Sequence, residues 1–147
     1  TPIGELKRLE PALAAGADVA IGSRALADPA VAVVARRHRV VAGRVFHWLV
    51  GRVGLRGIAD SQCGFKAFTA AAAERLFGPL RTRGFGFDVE LLLRAQQAGL
   101  RVAEVPVNWT DRAGSKVGVL RNGPGMLWQA VAARLRVAAD RGGKGPR

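Results

Sequence analysis

Apolar residues follow two spacings along the chain, one typical of helices and the other typical of buried strands. Leu6, Leu9 and Leu13 recur at helical intervals and Gly16 follows them, which predicts a first helix that ends near this glycine. The short apolar run at 18–22 has the length and composition of a strand. A helix followed by a buried strand indicates an α/β sheet, in which ligands bind beyond the carboxyl ends of strands.

The two patterns continue to the C-terminal end of the sequence. Three segments are expected to form strands of one sheet: 19–21, 65–68 and 102–107. Four further segments are predicted to be helices: 37–53, 70–77, 88–98 and 124–140. Glycines at the ends of several of these segments, and Thr69 before the segment at 70–77, are suitable capping residues.

Composition and charge narrow the possible partners. The chain has 147 residues, of which 49% are hydrophobic, enough for one domain with a core. Lys and Arg number 23 against 11 Asp and Glu, and the net charge of +12 predicts attraction to a polyanion. Nucleic acid, a phosphorylated substrate and an acidic lipid surface all qualify. A nucleic-acid-binding module is the weaker alternative, because the sequence has no zinc-finger pattern, aromatic RNA-binding signature or dense lysine run.

Two further features limit the chemistry. Cys63 is the single cysteine, so an intrachain disulfide is excluded, and we expect a small buried side chain rather than a nucleophile. The apolar runs are too short or too interrupted to span a bilayer, so any membrane contact is expected to be peripheral.

Five segments in a fixed order resemble a known enzyme family. They are ADVAIGSR at 17–24, RVVAGRVFHWLV at 39–50, DSQCGFKAF at 60–68, GFGFDVELL at 84–92, and EVPVNW at 104–109 leading into GSKV at 114–117. Together these segments are similar to the polyprenyl-phosphate branch of the family-2 glycosyltransferases, and within it to the dolichyl-phosphate β-glucosyltransferases. They cover most of residues 1–120.

The resemblance implies an α/β fold, namely the C-terminal half of a GT-A (Rossmann-like) domain over 1–120. A basic amphipathic helix at 121–141 and a disordered tail at 142–147 are expected to follow. It also implies an inverting enzyme that transfers a hexose to a polyprenyl or dolichyl phosphate. In such enzymes Mg²⁺ or Mn²⁺ is held by an Asp-x-Asp motif, which in relatives lies immediately before a segment matching Thr1-Pro2. We therefore expect the metal ligands and the base pocket upstream of this chain, and little activity from the chain alone.

The resemblance assigns Arg24 and Arg39 to phosphate binding. A diphosphate leaving group and a phosphate nucleophile must meet in this reaction, and a guanidinium fork reduces the repulsion between them. Ser115 and Lys116 offer a hydroxyl and a mobile charge that could close over phosphates. Taken without the resemblance, these two residues form an ordinary polar turn.

Four further residues are candidates for substrate contact or catalysis. Asp60 and Gln62 could orient sugar hydroxyls or a neighbouring arginine, with turn capping as the alternative. In related inverting enzymes a carboxylate at the start of the helix that begins near Asp88 commonly serves as general base, which makes Asp88 and Glu90 the catalytic candidates. A phosphate acceptor is already ionised near neutral pH, however, so Asp88 could equally orient the substrate or cap the helix.

The donor and the cellular location are also predicted. The resemblance at 62–66 favours UDP-glucose as the donor, and GDP-mannose is the close alternative. For the protein as a whole, a further alternative is a non-catalytic remnant of such an enzyme. In the C-terminal helix, Arg134, Arg136 and Arg141 lie among apolar residues, which suits an acidic membrane surface on the cytoplasmic face. The alternative is that the apolar stripe packs on the domain. That stripe comprises Leu127, Trp128, Val131, Leu135 and Ala138.

Overall fold

The computed structural model describes residues 1–35, 37–110 and 119–142, without the side chains of 37–39, 85, 119–123 and 142. The helices are α1 (Leu6–Ala14), α2 (Arg37–Val53), α3 (Ala70–Phe77), α4 (Phe87–Gln97) and α5 (Val119–Gly142). The strands are β1 (Val19–Ser23), β2 (Val33–Val34), β3 (Lys66–Phe68), β4 (Val102–Pro106) and β5 (Trp109–Thr110). Short 3-10 turns at Ile3–Glu5 and Gly84–Gly86 precede α1 and α4. The chain is thus a mixed α/β structure.

The main sheet has the strand order β3-β1-β4 within the described residues. The central strand β1 is antiparallel to β3 and parallel to β4, with Ile21 in register with both Lys66 and Glu104. The prediction that these three segments share one sheet is confirmed. β2 and β5 form a second, two-residue parallel pair beside it.

Helices cover both faces of this sheet, which is why β1 is buried along its whole length. Val19 and Ile21 point into a core that they share with residues of α2, α4 and α5. Ala20 points to the other face and packs near Leu9 of α1 and Cys63. This alternation follows from the pleat of a strand and places successive residues of β1 in two different layers.

Local capping signals set the helix ends as predicted. The Thr69 hydroxyl accepts a hydrogen bond from the Ala72 amide at 3.2 Å and caps α3. Gly54 directly follows α2 with φ of 110°, a conformation that strains any residue with a Cβ. Gly22 is required for a different reason, because a Cβ there would approach the Val107 side chain to 2.9 Å and the Phe65 carbonyl oxygen to 3.2 Å.

Helix α5 differs from its prediction in length and in the face that packs. It begins at Val119 rather than at Pro124, which lies inside the helix. Its small residues Ala130, Ala133 and Val137 are buried in the main core against α2 and α4. The predicted tail beyond 142 lies outside the described residues.

Candidate functional site

One edge of the sheet collects the polar residues. The carboxyl ends of β1 and β4 meet there because these strands are parallel, and the start of antiparallel β3 meets them. Arg24 directly follows β1, Lys66 begins β3, and Trp109 lies three residues beyond β4. This edge is where ligands bind in open α/β sheets.

Arg24 and Asp60 form a two-pronged ion pair at this edge. The Arg24 Nε lies 2.7 Å from Asp60 Oδ2, and its Nη2 lies 2.7 Å from Oδ1. The Arg24 backbone amide also donates to Oδ2, at 2.9 Å. Burial alone raises the pKa of Asp60, but the hydrogen bonds and charge of Arg24 outweigh it and hold the pKa below its ordinary value. Both groups are therefore charged.

The ion pair fixes the direction of the Arg24 guanidinium. Its central carbon lies 5.3 Å from the centre of a Trp109 ring, a cation–π distance. A guanidinium has five N–H donors, and the two that bind Asp60 leave three for other acceptors. The Arg24 side chain is 31% exposed, so these donors can reach a ligand. The arrangement is suited to binding an anion without prior rearrangement.

A small cleft adjoins this pair. Asp60 and Gln62 line it together with Arg24, and Phe46 and His47 of α2 also line it. The Gln62 Nε2 is buried and has no hydrogen-bond partner among the described residues. A buried amide nitrogen without a partner is costly, so the Gln62 donor lacks an acceptor beside the cleft.

Asp88 is paired with a buried lysine rather than capping its helix. The Lys66 Nζ lies 2.6 Å from Asp88 Oδ1 and also donates to the Cys63 carbonyl oxygen at 2.6 Å. The N-cap of α4 is Gly86, and no side chain makes a capping bond there, so the capping alternative for Asp88 is wrong. The Asp60 hydrogen bond is the main cause that raises the pKa of Arg24, and the charge of Asp88 adds to it. Lys66 begins β3, so its pair with Asp88 lies at the same edge of the sheet as Arg24.

Glu90 points away from the site. Its side chain is fully buried and accepts hydrogen bonds from the Thr82 amide at 2.8 Å and from Arg94 Nε at 2.9 Å. Burial raises the pKa of Glu90, but these hydrogen bonds outweigh it and lower the pKa overall. Residues that lie two positions apart on a helix are rotated by about 200° around its axis. Asp88 and Glu90 therefore cannot face the same site. The placement gives Glu90 a structural role and no geometric support for catalysis.

The remaining candidates are only partly placed. Arg39 lies in the first turn of α2, and its side chain is not among those described. Ser115 and Lys116 lie outside the described residues. Cys63 is buried, and this burial is the main cause that raises the pKa of its thiol, as expected for a packing residue.

The described residues do not fit a divalent metal. No cluster of three or more His, Cys, Asp or Glu side chains occurs among them. The two carboxylates at the site edge, Asp60 and Asp88, each face a cation instead.

Helices α2 and α5, which pack against each other, also carry large apolar side chains at the surface. We call this set of residues the apolar face, and each of them is more than half exposed: Val41, Val45, Trp48, Trp128 and Leu135. The helix packs through Ala130, Ala133 and Val137, so the stripe at 128 and 135 does not pack on the domain. In the described part of the chain, no helix combines the length and hydropathy that crossing a bilayer requires.

Comparison with known proteins identifies relatives of the chain. It is 38% identical over 134 residues to the dolichyl-phosphate β-glucosyltransferase of Saccharomyces cerevisiae, which covers 89% of this chain and 38% of that protein. The Homo sapiens protein of the same name is 42% identical over 99 residues, covering 67% of this chain and 31% of the relative. Glycosyltransferase AglD of Haloferax volcanii is 40% identical over 128 residues, covering 82% of this chain and 20% of the relative.

These relatives confirm the resemblance carried by the five segments. The dolichyl-phosphate β-glucosyltransferases are hexosyltransferases. The chain spans well under half the length of these relatives. No family model matches the chain, and no solved structure matches it either.

Proposed function

We propose that this homologue of the dolichyl-phosphate β-glucosyltransferases is the C-terminal part of an inverting transferase that moves glucose from UDP-glucose to a polyprenyl or dolichyl phosphate. The supporting observation is the Arg24 guanidinium, which Asp60 and Trp109 hold at the sheet edge with donors to spare. The names of the relatives support the acceptor and the sugar. Nothing comparable distinguishes UDP from GDP, so the donor base rests on the resemblance.

We further propose that the complete transferase has a preceding segment. The chain covers only 38% of the yeast relative, and the described residues do not fit a divalent metal. An Asp-x-Asp motif for Mg²⁺ or Mn²⁺ and the nucleotide pocket would belong to that segment and complete a GT-A domain. When bound, the metal would neutralise diphosphate charge.

The proposed reaction joins two anions. A phosphate oxygen of the acceptor attacks C1 of glucose, and the bond from C1 to the diphosphate oxygen breaks with inversion. Arg24 offsets the charge of one of the phosphates and orients it, which lowers the barrier by preorganised electrostatics. Gln62 donates from its buried Nε2 to a substrate oxygen in the adjoining cleft.

Asp88 is not required as a base in this scheme. A phosphate monoester is ionised near neutral pH, so its oxygen needs little deprotonation before attack. Asp88 Oδ1 already accepts a hydrogen bond from Lys66 Nζ at 2.6 Å, so this oxygen is occupied by a donor within the protein. We propose that Asp88, held in place by Lys66, supplies a fixed negative charge at this edge of the sheet.

Transfer assays on the complete transferase test this function. The measurement is the rate of hexose transfer to a short polyprenyl phosphate from UDP-glucose and, separately, from GDP-mannose. We expect transfer from UDP-glucose only, and little or none from residues 1–147 alone. Preference for GDP-mannose would overturn the proposal that UDP-glucose is the donor. Robust activity of the 147-residue chain would overturn the proposal that the metal and nucleotide sites belong to a preceding segment. A salt-dependent shift of DNA with no transfer would favour the nucleic-acid alternative.

We also propose peripheral attachment to the cytoplasmic face of the membrane. The apolar face can enter the headgroup boundary, while Arg134, Arg136 and Arg141 of α5 meet acidic lipid, which the cytoplasmic leaflet provides. Such attachment would keep the site near an acceptor that cannot leave the membrane.

Liposome flotation of the complete transferase tests the attachment. Deletion of α5 would remove core residues, so the sharper variant is Trp128→Ser with Leu135→Ser, two exposed positions. We expect binding to anionic vesicles that weakens with salt and falls in this variant, but not in the exposed control Arg75→Ser on α3. Equal flotation of all three proteins, or no binding at low salt, would rule out this face as the membrane anchor.

A further inference from the structure

Glu104 lies on β4 and binds the loop that carries Asp60. Its Oε2 accepts a hydrogen bond from the Ala59 amide at 2.7 Å, and its Oε1 accepts one from the Asp60 amide at 2.8 Å. Glu104 is in register with Ile21 of the central strand, so its backbone is fixed by the sheet. One carboxylate thus attaches two consecutive peptide groups of a loop to a strand.

These contacts set the geometry of the ion pair. The Asp60 carboxylate receives three donors from Arg24, namely its backbone amide, its Nε and its Nη2. Each of these bonds depends on where the Asp60 backbone lies. The positional chain therefore runs from Glu104 to Asp60 and from Asp60 to Arg24, with each link shorter than 3 Å.

The loop does not need Glu104 to stay on the domain. Leu55 and Ile58, on the same loop, are buried in the main core and anchor it by apolar packing. Packing of Leu55 and Ile58 does not fix the orientation of the peptide groups at 59–60. The two hydrogen bonds to Glu104 do.

We propose that Glu104 is a positioning residue that holds Asp60, and through it Arg24, in the geometry that binds the substrate phosphate. The inference rests on the proposed function, since Arg24 is taken to meet phosphate. Misplacing a substrate-binding group by about 1 Å can lower turnover on the order of 100-fold, so losing the two amide contacts should have a large effect on rate.

A double-mutant cycle in the complete transferase tests the chain of contacts. We expect Glu104→Ala to lower kcat/KM for polyprenyl phosphate by roughly 10- to 100-fold. In a variant that already carries Asp60→Ala, the same change should have little further effect, because Glu104 acts through Asp60. Glu104→Gln keeps one carboxamide oxygen and should recover part of the rate, whereas the shorter Glu104→Asp should not. The exposed Glu74→Ala on α3 is the matched control and should match the unmodified enzyme.

Two kinetic results would overturn the proposal: an unchanged kcat/KM in Glu104→Ala, or effects of Glu104→Ala and Asp60→Ala that multiply. Amide exchange separates this failure from failure of the proposed function. The amides of 59 and 60 should exchange slowly in the unmodified protein and faster in Glu104→Ala, whichever reaction is catalysed. Slow exchange in both proteins would also overturn the proposal. An unchanged rate of hexose transfer in Arg24→Ala would reject the phosphate site at Arg24. If the amides of 59 and 60 still exchange faster in Glu104→Ala, the attachment of the loop by Glu104 is retained.

Discussion

An ion pair between an arginine and a carboxylate occurs at two places in the molecule, with different consequences. Arg24 and Asp60 meet at the sheet edge, where the Arg24 side chain is 31% exposed. Arg94 and Glu90 meet inside the domain, where the side chains are 7% and 0% exposed. Glu90 also accepts from the loop amides of Arg81 and Thr82, and Arg94 Nη2 lies 2.9 Å from Asp140. The buried pair is closed off from ligands and stabilises the fold, whereas the pair at the sheet edge has donors that a ligand can reach.

The largest expected effect is on stability, at the buried pair. Glu90→Ala removes the acceptor of the Arg94 Nε and of two loop amides, and breaking a buried ion pair in this way costs about 3–5 kcal/mol. Chemical denaturation of the chain should show this loss, while Glu74→Ala stays within about 0.5 kcal/mol of the unmodified protein. A Glu90→Ala protein of unchanged stability would contradict the structural role and reopen the question of catalysis.

The next effect is on rate, at the exposed pair. In the complete transferase, Arg24→Ala should lower kcat on the order of 10²- to 10³-fold, as expected when a preorganised charge is removed. Arg39→Ala is predicted to lower turnover by orders of magnitude for the same reason. Arg75→Ala, at an exposed position on α3, serves as the control. Wild-type kinetics in either variant would remove that arginine from the site.

Acidification should affect both pairs in the same direction. The pKa values of Asp60 and Glu90 lie below their ordinary values of 3.8 and 4.5. The folded state therefore binds these protons less tightly than the unfolded state, and the resulting stability is present at higher pH and is lost as pH falls through the folded pKa values. Free energies of unfolding measured from neutral pH downwards should decrease, and less steeply in Asp60→Asn. Equal slopes in both proteins would show that Asp60 titrates alike in the folded and unfolded states.

The smallest expected effect is at Trp109. Its contact with Arg24 at 5.3 Å should be worth about 0.5–2 kcal/mol, because a cation–π contact at a partly exposed site is modest. Trp109→Leu should therefore raise KM for the acceptor several-fold and leave kcat nearly unchanged. A loss as large as that of Arg24→Ala would mean that Trp109 itself contacts the substrate.

Periodicity and capping predicted most of the elements in the described part of the chain. The strands of the main sheet and the helices at 37–53 and 70–77 are found where the pattern places them, because spacing, Gly54 and Thr69 are local signals. The length of α5 was underestimated. Pro124 indicates a helix start, because a proline inside a helix removes one backbone hydrogen bond and crowds the carbonyl four residues before it. Packing of α5 against α2 and α4 can offset this cost.

The sequence named three residues that the fold brings to one cleft, namely Arg24, Asp60 and Gln62, and their roles in binding stay predictions. The sequence argument missed Lys66 and Glu104, although both lie in segments that carry the resemblance. The partner of such a residue cannot be predicted from its type. Lys66 binds Asp88, and Glu104 binds loop amides, and both partners are far away in sequence.

The sequence by itself determined the alternation of helices and strands, the resemblance to glycosyltransferases and the residue types at the sheet edge. Only the tertiary structure decided which carboxylates face that edge. Asp88 and Glu90 are near neighbours in the chain, yet helix geometry turns one towards Lys66 and the other into the core. It also decided which face of α5 is buried, since Ala130 and Ala133 fit against α4 where Trp128 does not. Spacing along a chain is a local property, whereas burial and pairing depend on the other elements that the fold brings alongside.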